Sequence, residues 1–285
     1  MSVIKKNGAQ SKLIAFKIAQ RNITLQSKPY IVAEMSCNHI GKIGIAKDLI
    51  RAAAGAGADA VKLQTFKPNT MTIDCDRPDF IIKGGLWNGY KLFDLYKQAY
   101  TPWEWTGELF QLANDLGIDI FSSPFDETAV DFLEQYAPPA YKIASLELTD
   151  SYLLKKVAKT GRPIILSTGL ATEEEVRTAI NVLQQNGTTQ ICLLHCISGY
   201  PTALEDANIS AVTHLQSEFD VIVGLSDHSK SPIVAAGAVA LGARVIEKHL
   251  VLNRNDGSLD SEFSLEPSEF EQLVKSCNDM YQAIG

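Results

Sequence analysis

The sequence lacks an excess of positive charge. Its 26 lysine and arginine residues are outnumbered by 33 aspartate and glutamate residues, which gives a formal net charge of −7. Non-specific binding to nucleic acid or to anionic lipid requires a basic surface. The composition therefore argues against nucleic acid and against membrane lipid as partners.

Long apolar runs are also missing. The longest nearly apolar stretch, SPIVAAGAVALGA, is shorter than the roughly 18–20 residues that a membrane span requires, and its small residues predict a packed helix. The N-terminal stretch MSVIKKNGAQ has no apolar segment of the kind found in signal peptides. We therefore expect a cytoplasmic protein.

The five cysteines form no CxxC pair, and their odd number leaves at least one of them unpaired. Cys192 and Cys196 lie in one apolar run, so we interpret both as small core residues. This use of cysteine is typical of a reduced protein, which agrees with a cytoplasmic location.

Eight short apolar segments alternate with helix-like segments from residue 30 onward. The predicted strands cover residues 30–36, 59–65, 118–123, 140–145, 163–168, 190–196, 220–226 and 244–250. Near-continuous apolar strands separated by helices are typical of a parallel sheet covered by helices. There are eight units, and no G-x-G-x-x-G follows the first strand, so the pattern predicts an α/β fold, a (β/α)8 TIM barrel.

Two segments fall outside the repeat. Residues 11–26 predict a β-hairpin that closes the N-terminal mouth of the barrel. We therefore divide the chain into an N-terminal extension with a β-hairpin (1–28) and a catalytic barrel (29–285). Residues 66–101 form a long excursion after the second strand, and their aromatic residues and Lys-Gly-Gly predict an active-site loop with a short helix.

Two histidines close neighbouring strands. His228 ends the seventh predicted strand and His249 the eighth, and barrel enzymes place their active sites at such strand ends. Adjacent strands lie about 4.8 Å apart, so the two imidazoles can meet and bind a divalent metal with open positions for oxygen ligands. The alternative is a pair of hydrogen-bonded rim histidines. His195 and His214 show no such pairing and are interpreted as a barrel-wall and a helix-surface residue.

Two lysines interrupt otherwise apolar strands. Lys62 and Lys142 need partners, because a lysine is almost never fully buried alone. With nearby serines they could surround a phosphate or a carboxylate, or each could pair with a glutamate, or one could form a Schiff base. Glu34 and Glu147 could act as acid or base, or could serve as partners for the lysines. These residues indicate a metal-assisted enzyme for a small anionic substrate and leave the reaction class open.

A series of motifs in the same order resembles the sialic acid synthase family. The motifs are AEMSCNHIG, DAVKLQT, SSPFD, AYKIASLE, ILSTGLAT, HCISGYPT, GLSDHS and IEKHL, and the resemblance covers residues 29–285. Within that family, DFIIKGGLW and DSEFSLEP look most like the pseudaminic acid synthases. The resemblance implies condensation of phosphoenolpyruvate (PEP) with an open-chain amino-sugar aldehyde, which forms a nine-carbon 2-keto acid and releases phosphate.

The resemblance also implies a role for each matching residue. His228 and His249 would bind a divalent metal, most often Mn²⁺, with Co²⁺ or Mg²⁺ as alternatives. Glu147 would be a catalytic carboxylate near carbon 2 of PEP, and Glu34 is a second catalytic candidate that contacts or orients the sugar. Positions that match PEP-binding residues are Lys62, Ser123, Lys142, Ser145, Ser167 and Ser226. Further positions that match sugar-binding residues are Gln64, Tyr200 and Asp260.

The expected sugar is 2,4-diacetamido-2,4,6-trideoxy-altrose, as in pseudaminic acid biosynthesis for bacterial surface glycans. The alternatives are an N-acetylneuraminate or legionaminate synthase, a Schiff-base aldolase, or a non-catalytic barrel. Family members usually continue into a C-terminal antifreeze-like domain that donates an arginine to the sugar site of a dimer partner. The sequence stops where the linker would begin, so we expect that domain to be absent; the resemblance also implies a homodimer.

Overall fold

A closed barrel of eight parallel strands forms the core of the chain. The computed structural model describes residues 15–285. The barrel strands, numbered after the two strands of an N-terminal hairpin, are Tyr30–Glu34 (β3), Ala60–Thr65 (β4), Asp119–Pro124 (β5), Tyr141–Ile143 (β6), Ile164–Ser167 (β7), Ile191–Cys196 (β8), Ile222–Asp227 (β9) and Val245–His249 (β10). Around the barrel they follow the order β10-β3-β4-β5-β6-β7-β8-β9. The predicted (β/α)8 barrel is confirmed, and the eight predicted strands differ from the observed ones mainly at their ends.

Helices surround the barrel, except for two that lie in the excursion 66–101. The helices are Ile43–Gly55 (α1), Pro68–Met71 (α2), Leu92–Ala99 (α3), Thr106–Leu116 (α4), Glu127–Leu133 (α5), Ser151–Ala158 (α6), Glu173–Gln185 (α7), Ala211–Phe219 (α8), Pro232–Ala240 (α9) and Pro267–Ile284 (α10), and α2 and α3 are the two in the excursion. At the start of α7, Thr172 and Glu175 form a capping box, in which each side chain accepts a backbone N–H of the other residue. Across residues 15–285, no helix combines the length and the apolar composition that crossing a membrane requires.

An N-terminal hairpin seals one end of the barrel. Its strands, Ala15–Ile18 (β1) and Arg21–Thr24 (β2), pair in antiparallel fashion, as predicted. Phe16, Ile18 and Ile23 are buried in one apolar cluster with side chains from the barrel strands. The hairpin therefore closes the N-terminal mouth. The described residues exclude two predicted features. These are residues 11–14 of the predicted hairpin and residues 1–10, for which the sequence predicts no signal peptide.

Polar contacts fasten this hairpin to the barrel. The Arg21 guanidinium bonds to the Asp59 carboxylate and donates to the carbonyl oxygens of Lys28 at 2.8 Å and Pro29 at 2.9 Å. The second oxygen of Asp59 accepts the backbone N–H of Ile31 at 2.7 Å. One carboxylate thus joins the hairpin, β3 and the start of β4, and the opposite end of the barrel is left open.

The hairpin seal yields a stability prediction. Ile23→Ala removes a fully buried side chain, so we expect the free energy of unfolding to fall by about 2–5 kcal/mol, because transfer and cavity costs add. The matched control is Ile73→Ala, since Ile73 is 65% exposed and its loss should cost less than about 0.5 kcal/mol. Urea titration of both variants measures the difference. Equal losses in the two variants would show that the hairpin does not support the barrel.

Candidate active site

A cavity of 550 Å³ opens at the carboxyl ends of the barrel strands. Most of the predicted site residues line it, namely Lys62, Gln64, Lys142, Ser145, Glu147, Ser167, Tyr200, Ser226, His228, His249 and Asp260. The other two, Glu34 and Ser123, are fully buried outside the lining, where both contact Lys62. The structure therefore brings the predicted residues together at one end of the barrel.

Strand alternation decides which residues reach the cavity. Successive side chains of a strand point to opposite faces, so alternate residues share a face. On β9 and the turn after it, Ser226 and His228 line the cavity, and on β10 Glu247 and His249 do so. Lys248, between the last two, is buried on the helix side of the wall, where its ammonium bonds to Asp227.

Glu247 is the centre of the polar network inside the barrel. Its Oε1 lies 3.4 Å from the Lys142 ammonium and 3.6 Å from the Lys62 ammonium, and it accepts the Ser226 hydroxyl at 3.2 Å. Lys62 also bonds to the Glu34 carboxylate. No role for Glu247 was predicted from the sequence. The signal that could have identified it is its position two residues before His249, on the same face of the strand.

Burial and mutual charge set the protonation of this network. Burial alone raises the pKa of Glu247, but Lys142 and Lys62 outweigh it and leave the pKa lowered. Burial lowers the pKa of Lys62, and the Glu247 and Glu34 carboxylates reverse the shift, so the pKa is raised. For Lys142, burial is the larger effect and the pKa is lowered. A Glu247 carboxylate and a Lys62 ammonium therefore persist side by side.

The two histidines meet as predicted. The centroids of their rings lie 5.3 Å apart. His228 Nδ1 lies 2.9 Å from the carbonyl oxygen of Ile197, so this nitrogen carries the proton and donates it. His249 Nδ1 is buried without a partner, and burial, with the charge of His228, holds the pKa of His249 well below its usual value. A neutral imidazole with a free nitrogen fits a metal ligand.

A divalent metal at this site would take two ligands from these imidazoles and further oxygen ligands from substrate and water. The Asp260 carboxylate lies 3.8 Å from His249 Nδ1. Among residues 15–285, no group of three or more His, Cys, Asp or Glu side chains is arranged to hold a metal ion. The pattern agrees with the expected metal that keeps open positions for oxygen ligands, and the presence of a metal stays a prediction.

Cys192 and Cys196 are both buried, as expected. Cys192 lies in an apolar core cluster, whereas Cys196 also lines the cavity. Burial raises the pKa of the Cys196 thiol, but the hydrogen bond and the charge of His228 together with the charge of Lys142 outweigh burial and leave the pKa lowered. Burial lowers the pKa of His228, but Cys196 and the Ile197 carbonyl together outweigh it, so the pKa is raised. The two cysteines lie four residues apart and share the inward face of β8, so they differ in depth: Cys192 lies in the apolar layer and Cys196 lies nearer the open end, which an apolar run in the sequence does not reveal.

Four buried polar atoms at the cavity have no partner within the described part of the chain. They are Glu147 Oε2, Ser167 Oγ, Glu247 Oε2 and His249 Nδ1. A buried polar atom that lacks a partner costs about 1–3 kcal/mol, so such atoms are rare unless a ligand satisfies them. Burial also raises the pKa of Glu147 to about 7, which places its proton exchange near neutral pH. The cavity is therefore prepared for a polar ligand.

The predicted excursion 66–101 forms an apolar wall of the cavity, which confirms that it is a loop at the site. Trp87 Nε1 donates to the carbonyl oxygen of Leu259 at 3.0 Å, and the Trp87 ring lies 5.5 Å from that of Tyr200. Apolar lining residues of the excursion are Phe66, Met71, Ile82, Trp87, Leu92 and Leu95. The sequence pointed to the aromatic residues of the excursion as a group but not to these individual side chains, because nothing local distinguishes an apolar residue at a cavity from one in a core.

The other three histidines lie outside the cavity. His39 contacts Thr101 at 3.1 Å and packs against Trp105, away from the cavity. His195 is buried with its Nε2 2.9 Å from the carbonyl oxygen of Ala207, and His214 is exposed, which confirms a wall and a surface residue. Only the histidine pair at the ends of β9 and β10 therefore belongs to the site within the described residues.

Comparisons with known proteins identify the family of the chain. A sequence profile of the NeuB family matches residues 49–285. The chain is 45% identical to a pseudaminic acid synthase from Campylobacter jejuni over 93% of this chain and 77% of the relative. It is 43% identical to a pseudaminic acid synthase from Helicobacter pylori over 90% and 76%. A crystal structure of N-acetylneuraminic acid synthetase from Leptospira borgpetersenii superposes with a TM-score of 0.87, at 30% identity over 96% and 90% of the two chains. The chain belongs to the NeuB family, the sialic acid synthases.

Proposed function

We propose that this enzyme is a pseudaminic acid synthase that condenses PEP with 2,4-diacetamido-2,4,6-trideoxy-altrose. Family membership supports an enzyme that forms a carbon–carbon bond to make a nonulosonic acid, and two pseudaminic acid synthases are more than 40% identical to the chain. The observation that carries the proposal is the convergence of two buried lysines and four unpartnered buried polar atoms on one cavity. PEP is a small polyanion that would pair with the lysines. PEP and the aldehyde group of the sugar would together provide partners for the four unpartnered polar atoms.

The lysines and serines form the PEP end of the cavity. Lys62 and Lys142 supply positive charge, and Lys142 is the less neutralised, since among residues 15–285 it pairs with Glu247 alone. The serine hydroxyls available to phosphate or carboxylate oxygens are those of Ser145, Ser167 and Ser226. Ser123 and Glu34 lie behind Lys62, where they orient its ammonium.

The reaction forms a carbon–carbon bond at carbon 3 of PEP and replaces the phosphate at carbon 2 by a keto oxygen. Carbon 3 attacks the aldehyde carbon, and the aldehyde oxygen takes a proton to become a hydroxyl; the proton that the attacking water gives up balances it. Water adds to the electron-poor carbon 2, which then carries a hydroxyl and the phosphate, and as the hydroxyl oxygen forms the keto group its proton passes to the phosphate, which leaves with the electron pair of its bond to carbon 2. Glu147 takes the proton of the attacking water, because a carboxylate with a pKa of about 7 can accept and release a proton at neutral pH.

The histidines serve the aldehyde. His228 and His249 would hold a divalent metal, with Mn²⁺ as the proposed ion, and the bound metal supplies Lewis-acid polarisation of the aldehyde oxygen. The Ile197 carbonyl fixes the His228 ring through Nδ1, which leaves Nε2 for the metal. Gln64, Tyr200 and Asp260 line the cavity and are proposed sugar contacts.

One observation favours a second candidate. Burial lowers the pKa of Lys142, and a Schiff-base lysine needs a lowered pKa to attack a carbonyl. Borohydride with a carbonyl substrate would trap a covalent adduct on such a lysine, and activity would survive EDTA. The family relation favours the condensation, in which Lys142 stays non-covalent.

The proposed reaction is tested by phosphate release. With PEP and Mn²⁺, we expect release with 2,4-diacetamido-2,4,6-trideoxy-altrose and none with N-acetylmannosamine, because the apolar wall suits a deoxygenated, doubly acetylated sugar. Release only with N-acetylmannosamine would replace the proposal by an N-acetylneuraminate synthase. A borohydride-trapped adduct, with turnover in EDTA, would replace it by an aldolase.

The metal assignment predicts a separation of two affinities. His249→Gln removes the unpartnered ring nitrogen, so Mn²⁺ affinity should fall at least about 10-fold, whereas PEP affinity measured in EDTA should not change. Electron paramagnetic resonance of free Mn²⁺ and fluorescence titration with PEP give the two constants. His214→Gln is the matched control, since His214 is exposed. Wild-type Mn²⁺ affinity in the His249 variant would contradict the assignment.

Glu147 predicts a pH profile. Burial raises its folded-state pKa from 4.5 to about 7, so the carboxyl is protonated below that pH and becomes the required base above it. We expect kcat/KM for PEP to rise through a midpoint near pH 7, and Glu147→Gln to abolish this limb and lower kcat by about 10²–10⁴-fold. Glu174→Gln, at an exposed position, is the control. An unchanged acid limb in Glu147→Gln would remove Glu147 from proton transfer.

A further inference from the structure

A buried ion pair lies on the outer face of the barrel wall, directly behind the two histidines. The Lys248 ammonium is 2.9 Å from Asp227 Oδ2, and the two side chains are 0% and 2% exposed. The two residues are register partners on the adjacent strands β9 and β10. Each immediately precedes a histidine in the sequence, so the pair joins the strands one residue before His228 and His249.

The same pair holds the turn that carries His228. β9 ends at Asp227, so the parallel ladder does not extend to His228. The backbone N–H of Ser229 donates to Asp227 Oδ1 at 2.8 Å, and the Lys248 ammonium donates to the Ser229 carbonyl oxygen. The two charged side chains therefore fix the residue before His228 and the residue after it.

Stability is a weak reason for such a pair. Removing two charges from water costs several kcal/mol per ion, and apolar residues of the same volume often stabilise a fold equally well or better. What an ion pair with hydrogen bonds supplies, and an apolar contact does not, is a defined direction between two backbones.

We propose that Asp227 and Lys248 are positioning residues that set the separation and ring orientation of His228 and His249 from the far side of the barrel wall. Neither side chain lines the cavity, so both act through the backbone. The consequence for metal affinity rests on the proposed function. The consequence for the geometry of the two rings does not.

Three variants separate positioning from stability. Lys248→Met and Asp227→Asn each disrupt the ion pair and should lower the melting temperature, because the remaining partner is left buried without its counter-charge. The double variant Asp227→Asn with Lys248→Met contains no unpaired charge, so its melting temperature should recover. Its Mn²⁺ affinity should stay about 10–100-fold below that of the wild type, with PEP affinity in EDTA unchanged, because the interior lysines are intact.

A second ion pair provides the control. Arg162 Nε lies 2.6 Å from Glu134 Oε1, away from the histidines, and Arg162→Met should lower stability without changing Mn²⁺ affinity. If the double variant recovered both stability and Mn²⁺ affinity, the pair would be purely structural and the proposal would be wrong. A parallel loss of Mn²⁺ and PEP affinity would lead to the same conclusion.

A metal-free measurement keeps the proposal independent of the proposed function. In EDTA, NMR spectra of protein labelled with ¹⁵N in its histidine rings should show altered His228 and His249 signals in the double variant and an unaltered His195 signal. Should the wild-type protein bind no Mn²⁺, the metal part of the proposed function fails, and these spectra alone decide. Wild-type ring signals for both histidines in the double variant would refute the positioning role.

Discussion

The site depends on one carboxylate that two buried lysines share. Glu247 lies within 3.6 Å of the ammonium groups of both Lys62 and Lys142. Without Glu247, Lys142 would be an uncompensated charge buried inside the barrel, which a fold of marginal stability cannot tolerate, and Lys62 would be left with Glu34 as its partner. The network around Glu247 therefore allows positive charge to be stored at the centre of an apolar structure, where an anionic substrate meets it with little competition from water.

The barrel makes this arrangement possible through its two ends. At the N-terminal end, Phe16, Ile18 and Ile23 of the hairpin close the interior with apolar side chains. At the carboxyl end, parallel strands deliver alternate side chains from several distant segments to one cavity. The buried charge of the site is thus concentrated at the carboxyl end of the interior. The apolar layer at the N-terminal end stabilises the fold and offsets the free-energy cost of burying that charge.

Different chemical tasks occupy different sides of the same cavity. The lysines and serines provide a cationic inner surface, the two histidines lie at the ends of neighbouring strands, and the excursion 66–101 supplies an apolar wall. Unpartnered atoms on Glu147, Ser167 and His249 lie around the space that these surfaces enclose. The contrast between charged floor and apolar wall suits a substrate pair in which one partner is a polyanion and the other an acylated, deoxygenated sugar.

The sequence by itself determined the barrel, the hairpin and the strand-end residues, because each depends on local periodicity, on turn residues or on ordered motifs. The pairing of His228 with His249 could also be predicted, since adjacent strands in a barrel have a fixed spacing. Only the tertiary structure decided that Glu247 is the shared partner of two lysines, that Glu34 lies behind Lys62, and that Cys196 faces the cavity. These outcomes depend on which face of each strand points inward and on contacts between residues more than 20 positions apart. The identity of an apolar or charged residue in a strand does not reveal its contact partner, because that partner depends on the register of all eight strands in the closed barrel.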